Sequence, residues 1–469
     1  MKKIIFSLLL GIASVIPFGG SANAFDSTFA SYLQSKLNIL KSNFNLVGIS
    51  AAVQIPGKGI WTGTAGISSS DSDNVTAEMV FAAGSVTKNF IAAVILQLEE
   101  ADSLSLNDSI SKWIPQYQNI PGNVTINQLL DHSSGIYNVT DNPAFISAIN
   151  SNLNRFWTIE EVLSGGFVLT PYFTPGSGFR YSNTGYMILG LIISKIMKTS
   201  LRDQFYKRFY KPYNLNETYF EINDTVTSPF AHNWVDLNGD GILDDAFFVP
   251  LTAINSSTIG AGGVISNPEN LVRWASQIFG GNVISNNSLN KMLTFRPATI
   301  SGANGYGLGT MRYQFSAGRT GYGHGGNIFG YSTIVIYDPV ESISIALMIN
   351  KDISAGSLGV SFMNWVLQYT TSSVTSDTEI IPKRFTLLQN YPNPFNPETK
   401  IEFHLTNNEN ISLSVFNILG QEVEILFEGL LPAGVHTFNW NAKDLSGGIY
   451  FYKLSSAQHS DIRKMMLVK

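Results

Sequence analysis

The chain has 469 residues, 44% hydrophobic and 13% charged, with a formal net charge of −5. That composition supports a large buried core and shows no basic footprint for nucleic acid. Cysteine is absent, which excludes disulfides, a thiolate nucleophile, a Cys-ligated zinc and a lipid-anchored N-terminal Cys, and the six histidines form no His-Glu-x-x-His pair of the zinc-hydrolase kind.

The N-terminus reads as a secretory signal. Lys2 and Lys3 precede an apolar run over residues 4–16, too short to span a bilayer, and Ala22-Asn23-Ala24 supplies a small-x-small cleavage site. Residues 1–24 are therefore expected to be removed, leaving Phe25 as the first residue. No later segment is apolar for long enough to cross a membrane.

Residues 25–371 alternate strand and helix patterns. Residues 47–53 and 60–63 read as strands joined by a turn at Gly57-Lys58-Gly59. A helix follows Ser85, with Ile91, Val94, Ile95 and Leu98 on one face, and another begins after Asn183. Residues 331–337 and 342–349 flank an Asp338-Pro339 turn as paired antiparallel strands, and residues 362–369 suit a closing helix. Thr370 to Thr378 is rich in Ser and Thr without periodicity, so a linker is placed at 372–382. Short alternating runs such as Ile401-Glu-Phe-His-Leu405 mark residues 383–469 as a small β-sandwich.

Three constellations carry chemistry. The first is Gly84-Ser85-Val86-Thr87-Lys88. A serine opening a helix is either an N-cap or a nucleophile at the positive helix end. Lys88 lies one turn on, able to take the serine proton if neutral or to tune the local field if charged. Ser-x-x-Lys recurs at Ser109/Lys112 and Ser288/Lys291, so the motif alone decides little. The second is Tyr181-Ser182-Asn183, after a Gly-rich turn. A tyrosine there could carry protons as a phenolate or as a relay, and Asn183 offers donor and acceptor to substrate and to Lys88. The third is His324-Gly325-Gly326-Asn327. Its glycines let a substrate lie along an edge strand, the backbone N–H after them can face an oxyanion, and His324 can line the site or tune Tyr181.

In this order, with 96 residues from Ser85 to Tyr181 and 143 from Tyr181 to His324, the three resemble the serine β-lactamase-like superfamily. That group includes class C β-lactamases, D-Ala-D-Ala carboxypeptidases, D-amino-acid peptidases and esterases. Flanking text agrees: Phe81-Ala-Ala-Gly-Ser-Val-Thr-Lys88, Leu104-Ser-Leu-Asn-Asp108, Leu129-Leu-Asp-His-Ser-Ser-Gly135 and Tyr181-Ser-Asn-Thr-Gly-Tyr186. The resemblance implies an α/β (α+β) transpeptidase-like fold, an antiparallel sheet flanked by helices with a helical subdomain. It implies that Ser85 forms an acyl-enzyme on an amide or ester of a small molecule or peptide, and that Lys88 and Tyr181 share the proton transfers. Asn183, His324, Gly326 and Asn327 would bind substrate, with the oxyanion between the N–H groups of Ser85 and Asn327. No cofactor is required. His132 is read as structural. Two departures matter: position 324 is His rather than Lys, and position 325 is Gly rather than a hydroxyl residue. Both remove contacts to a substrate carboxylate, so efficient β-lactam hydrolysis is not expected. The competing reading is a non-catalytic surface protein for penicillin recognition or adhesion that keeps the fold.

Two further segments stand out. Asp236, Asn238, Asp240 and Asp244, with Gly241, match positions 1, 3, 5, 9 and 6 of a calcium loop, but position 12 is Phe247 rather than Glu. A structural calcium ion or a hairpin of solvated acids would explain them. The run Phe385-Thr-Leu-Leu-Gln-Asn-Tyr-Pro-Asn-Pro-Phe-Asn-Pro397, with Ser446-Gly-Gly-Ile-Tyr-Phe-Tyr452 and the ending Lys464-Met-Met-Leu-Val-Lys469, resembles a type IX secretion (type A) C-terminal sorting domain. It implies an Ig-like sandwich, engagement of the type IX machinery, and delivery through periplasm and outer membrane to the surface or the medium.

Overall fold

The computed structural model describes residues 25–372 and 385–468, except 408, 432, 433 and 458. The expected signal peptide and most of the expected linker lie outside the described residues. The chain divides into two compact units near Tyr369 and Thr370.

The first unit is built on an eight-stranded antiparallel sheet. From edge to edge its strands are Gly59–Gly66, Gly48–Ile55, Ile343–Ile349, Tyr331–Asp338, Thr320–Ile328, Met311–Gln314, Ala303–Tyr306 and Arg296–Ile300. The two strand pairs read from sequence are present, with Ser50 opposite Thr64 and Ile334 opposite Leu347. On one face lie the helices Ser27–Asn43 and Ala355–Ser372. Phe29, Leu33, Leu37 and Leu40 recur at helical spacing and pack with Ile334, Ile336 and Phe362 in one core. The larger core covers the other face and includes the helices Thr87–Glu100 and Asn183–Met197. The closing helix is longer than residues 362–369 and takes in Thr370 to Ser372, read above as linker. Its Ala355, Leu358, Phe362, Met363 and Val366 pack into the first core, with Phe29 and Ile334, and this burial outweighs the poor helix propensity of the Thr and Ser residues at its end.

A short sheet positions the chemistry. Phe81–Ala82 pairs with Val264–Ser266, which pairs in turn with Tyr219–Phe220. Its first strand feeds directly into the turn that carries Ser85.

The second unit is strand-rich. A three-stranded sheet (Thr386–Leu387, Glu398–Leu405, Gly434–Asn441) and a four-stranded sheet (Glu422–Leu431, Glu409–Asn417, Gly448–Ser456, Ser460–Leu467) share one core around Phe403, Leu413, Trp440 and Tyr452. This is the expected all-β module.

Candidate active site

Ser85 sits in a 3-10 turn, Gly84–Val86, that runs into the helix Thr87–Glu100. Two glycines make the approach to it close. Gly84 has a φ of +52°, and a Cβ there would press on the backbone of Asn327. A Cβ at Gly326 would collide with the carbonyl of Ala83 and lie 2.9 Å from the Ser85 nitrogen. The strand Thr320–Ile328 can therefore press its backbone against the serine turn.

Lys88 lies beneath the serine with none of its surface exposed. Its Nζ is 2.9 Å from Ser85 Oγ, 2.8 Å from Asn183 Oδ1 and 2.8 Å from the carbonyl of Ala261. Burial pushes its pKa well below that of a free lysine. The amide and carbonyl oxygens can only accept, so a neutral Nζ spends its two N–H groups on them. Its lone pair is then left for the serine hydroxyl.

Tyr181 lies near enough to Ser85 for that side chain to act on its phenol, and Lys88 Nζ stands 4.9 Å from the centre of its ring. Desolvation raises the Tyr181 pKa above that of a free phenol, against the smaller pull of the Ser85 side chain. Of the two roles considered, phenolate or relay, the environment favours a protonated phenol. His132 supports this residue. Its Nδ1 accepts the Ser182 N–H at 3.2 Å, its carbonyl accepts the Arg180 N–H, and its ring centre is 4.2 Å from that of Tyr181. The structural reading of His132 matches that geometry.

Asn183 begins the helix Asn183–Met197. Its Nδ2 donates to Thr140 Oγ1 at 3.0 Å, which orients Oδ1 toward Lys88, and its backbone N–H donates to Asn138 Oδ1 at 2.9 Å. One Nδ2 hydrogen stays available to a ligand. Asn327 contributes backbone only, because its side chain donates to Ser332 Oγ and to the carbonyl of Ile353.

His324 is buried and makes different contacts from those expected. Its ring centre is 6.4 Å from that of Tyr181, while its Nε2 meets the Tyr306 hydroxyl at 2.9 Å and its Nδ1 faces the carbonyl of Gly325. A carbonyl can only accept, so Nδ1 carries the proton and Nε2 accepts from Tyr306. Burial, with Lys88 nearby, holds the His324 pKa down to about 3. The ring is neutral at ordinary pH and supplies no positive charge for a substrate carboxylate. The folded state thus refuses a proton that the unfolded chain binds below about 6.5. Stability from this group is full above that value and is lost as pH falls from 6.5 toward 3. His324→Gln is expected to flatten the dependence of unfolding free energy on pH in that window by up to about 1.4 kcal/mol per pH unit. Urea unfolding of both proteins at a series of acid pH values checks it.

Sequence reasoning missed Ala261, Asn138, Thr140 and Tyr306. The Gly260-Ala261-Gly262-Gly263 run was a usable signal for the first. The other three are single polar residues in ordinary text and carry none.

The acidic loop lies elsewhere, between the short paired strands Trp234–Val235 and Asp244–Asp245. Asp236 accepts the N–H groups of Gly239, Asp240 and Gly241, Asp240 accepts that of Ile242, and Asp244 that of Leu237. Asn238 donates to Asp240. Among the described residues, no three His, Cys, Asp or Glu side chains converge to hold a metal ion. Calcium binding at these oxygens is a proposal. It fails if calorimetric titration gives no heat and the melting temperature does not move.

A family model described as Beta-lactamase matches residues 27–368, and one described as a secretion system C-terminal sorting domain matches residues 389–469. Penicillin-binding protein 4* of Bacillus subtilis (strain 168) is 29% identical over 279 residues, 55% of this chain and 57% of that protein. Protein flp of Staphylococcus aureus (strain MRSA252) is 34% identical over 142 residues, 27% of its own length. This chain thus spans little more than half of the first relative and about a quarter of the second. Among solved structures, a D-stereospecific amidohydrolase from Streptomyces sp. superposes with a TM-score of 0.62 at 27% identity, over 70% of this chain and 97% of that one. The D-amino acid amidase from Ochrobactrum anthropi SV3, complexed with L-phenylalanine amide, gives 0.65 at 22% identity over 74% and 100%, a likeness of fold. The sorting domain marks the chain for type IX secretion to the cell surface or extracellular space. No helix among the described residues is long and apolar enough to cross a membrane.

Proposed function

The chain belongs to the Beta-lactamase family, and from that premise we propose that it is an exported serine hydrolase acting through an acyl-enzyme on amides or esters rather than on β-lactams. In this reading Ser85 Oγ attacks the acyl carbonyl while neutral Lys88 takes its proton. The oxyanion is held by the backbone N–H groups of Ser85 and Asn327. The Tyr181 phenol passes a proton to the leaving amine or alkoxide, and water then releases the acyl group by the reverse sequence. These steps use side chains and backbone of this chain alone.

The observation that carries the reading is the buried Lys88 Nζ within 2.9 Å of Ser85 Oγ, with its other two directions taken by obligate acceptors. The neutral, fully engaged His324 supports the choice against β-lactams, since it offers no cation to their carboxylate. The amide-hydrolysing Streptomyces neighbour points the same way.

A panel of p-nitrophenyl esters, D-amino-acid amides and peptides, and nitrocefin tests it, with mass spectrometry for an adduct on Ser85. Ester or amide turnover, an adduct on Ser85 and slow nitrocefin hydrolysis are expected. Nitrocefin turnover at the rate of a true β-lactamase overturns the substrate assignment. Absence of any adduct or turnover overturns the enzyme assignment in favour of a binding protein.

A further inference from the structure

We propose that Thr140 is a positioning residue for the acyl transfer, whose hydroxyl holds the Asn183 amide with its oxygen toward Lys88 and so keeps the Lys88 lone pair turned to Ser85. The inference rests on the serine-hydrolase reading and deepens it, because it names a residue outside the three motifs that decides how Lys88 acts.

The placement of Thr140 is local. It lies in the 3-10 turn Val139–Asp141, which follows Asn138. Thr184, in the first turn of the helix Asn183–Met197, ties that turn down. Its hydroxyl oxygen accepts the Val139 N–H at 2.9 Å, and its O–H donates to the carbonyl of Tyr137 at 2.7 Å. The turn is thus fixed to the helix that begins with Asn183.

The direction of each bond follows from its partners. A side-chain amide can present either its oxygen or its NH₂ to a neighbour, and the neighbours decide which. The Asn138 oxygen accepts the backbone N–H of Asn183 at 2.9 Å, and Asn138 Nδ2 donates to the Asp141 carboxylate at 2.7 Å. A backbone N–H only donates and a carboxylate only accepts, so the Asn138 amide has a single orientation. Asp141 is itself held, by the Tyr172 hydroxyl at 2.9 Å and by Arg180 at 3.3 Å. Thr140 Oγ1 lies 3.1 Å from Asn138 Oδ1. Its one hydrogen goes to that oxygen, and only lone pairs are left to face Asn183. Asn183 answers with Nδ2 at 3.0 Å, which turns its oxygen to Lys88 Nζ at 2.8 Å. Every donor in the series Lys88, Asn183, Thr140 and Asn138 therefore points toward Asp141. With the Asn183 amide reversed, an N–H would face Nζ. It would occupy the lone pair that accepts from Ser85, and it would oppose an ammonium there.

The titratable groups facing Lys88 are Tyr181 and Tyr186, whose ring centres lie 4.9 and 5.5 Å from Nζ, and His132 and His324. Burial raises both phenols and lowers both imidazoles, so all four are neutral near pH 7 and an acid limb in activity belongs to Lys88.

Thr140→Val keeps the shape of the side chain and removes the hydroxyl, and Thr140→Ser keeps the hydroxyl. Measured on a p-nitrophenyl ester with the full chain, Thr140→Val is expected to lower kcat by about 10- to 100-fold with KM little changed. Its acid limb is expected to move to lower pH, because a reversed amide opposes the charged lysine. Thr140→Ser is expected to bring kcat and the limb back close to wild type. A wild-type kcat in Thr140→Val overturns the inference. So does a fallen kcat with the acid limb unmoved, or a loss that persists in Thr140→Ser, since either is damage to packing rather than to the direction of the amide. Wild-type protein that turns over no substrate and forms no adduct on Ser85 overturns the hydrolase reading, and this inference with it.

Discussion

Ser85→Ala is expected to lower kcat/KM for any ester or amide the protein hydrolyses by about 10³-fold or more and to abolish the covalent adduct. The hydroxyl is hydrogen-bonded to the buried Lys88 and set in the turn that opens a helix. Its removal should leave the fold intact. The side chain is small, and its loss costs Lys88 one hydrogen bond, about 1 kcal/mol. A melting curve close to wild type, together with lost turnover measured on a p-nitrophenyl ester, is the expected pair of results. Full activity in the alanine variant would move the nucleophile elsewhere.

Lys88→Ala should be more damaging to the protein as a whole. It removes the proposed base, for which a loss of about 10²–10⁴-fold is expected. It also leaves Asn183 Oδ1 and the Ala261 carbonyl facing a cavity, at about 1–3 kcal/mol for each acceptor left unpaired. Both the melting temperature and kcat should therefore fall. The pH profile separates the two roles open to this lysine. Burial lowers its pKa, and a base works only when neutral. Activity should thus decline as pH falls through the depressed value, and that limb should vanish in the variant. If the lysine acted as a fixed positive charge, activity would decline as pH rises instead.

Much of the architecture was legible in the text. The strand pairs at residues 47–63 and 331–349 showed themselves because Gly57 and Gly59, and Asp338-Pro339, punctuate runs of β-branched and apolar residues. The helix after Ser85 followed from its apolar spacing. The closing helix was underestimated, since Thr370 to Ser372 look like linker and only the packing of the preceding turns carries the helix through them. His324 was found, but its partner was not. Tyr306 is 18 residues earlier on another strand of the sheet, and nothing local marks it.

The sequence by itself determined which residues stand together: a serine and lysine one helical turn apart, a tyrosine two residues before an asparagine, and glycines where backbone must meet backbone. These are short-range facts, written in spacing and in the absence of a Cβ. Only the tertiary structure decided their protonation. Lys88 is held by Asn183, 95 residues away, and by Ala261, 173 residues away, inside a core assembled from the whole first unit. That enclosure pulls the Lys88 pKa down, keeps Tyr181 a phenol and keeps His324 neutral. Desolvation depends on everything packed around a group, so no motif can state it.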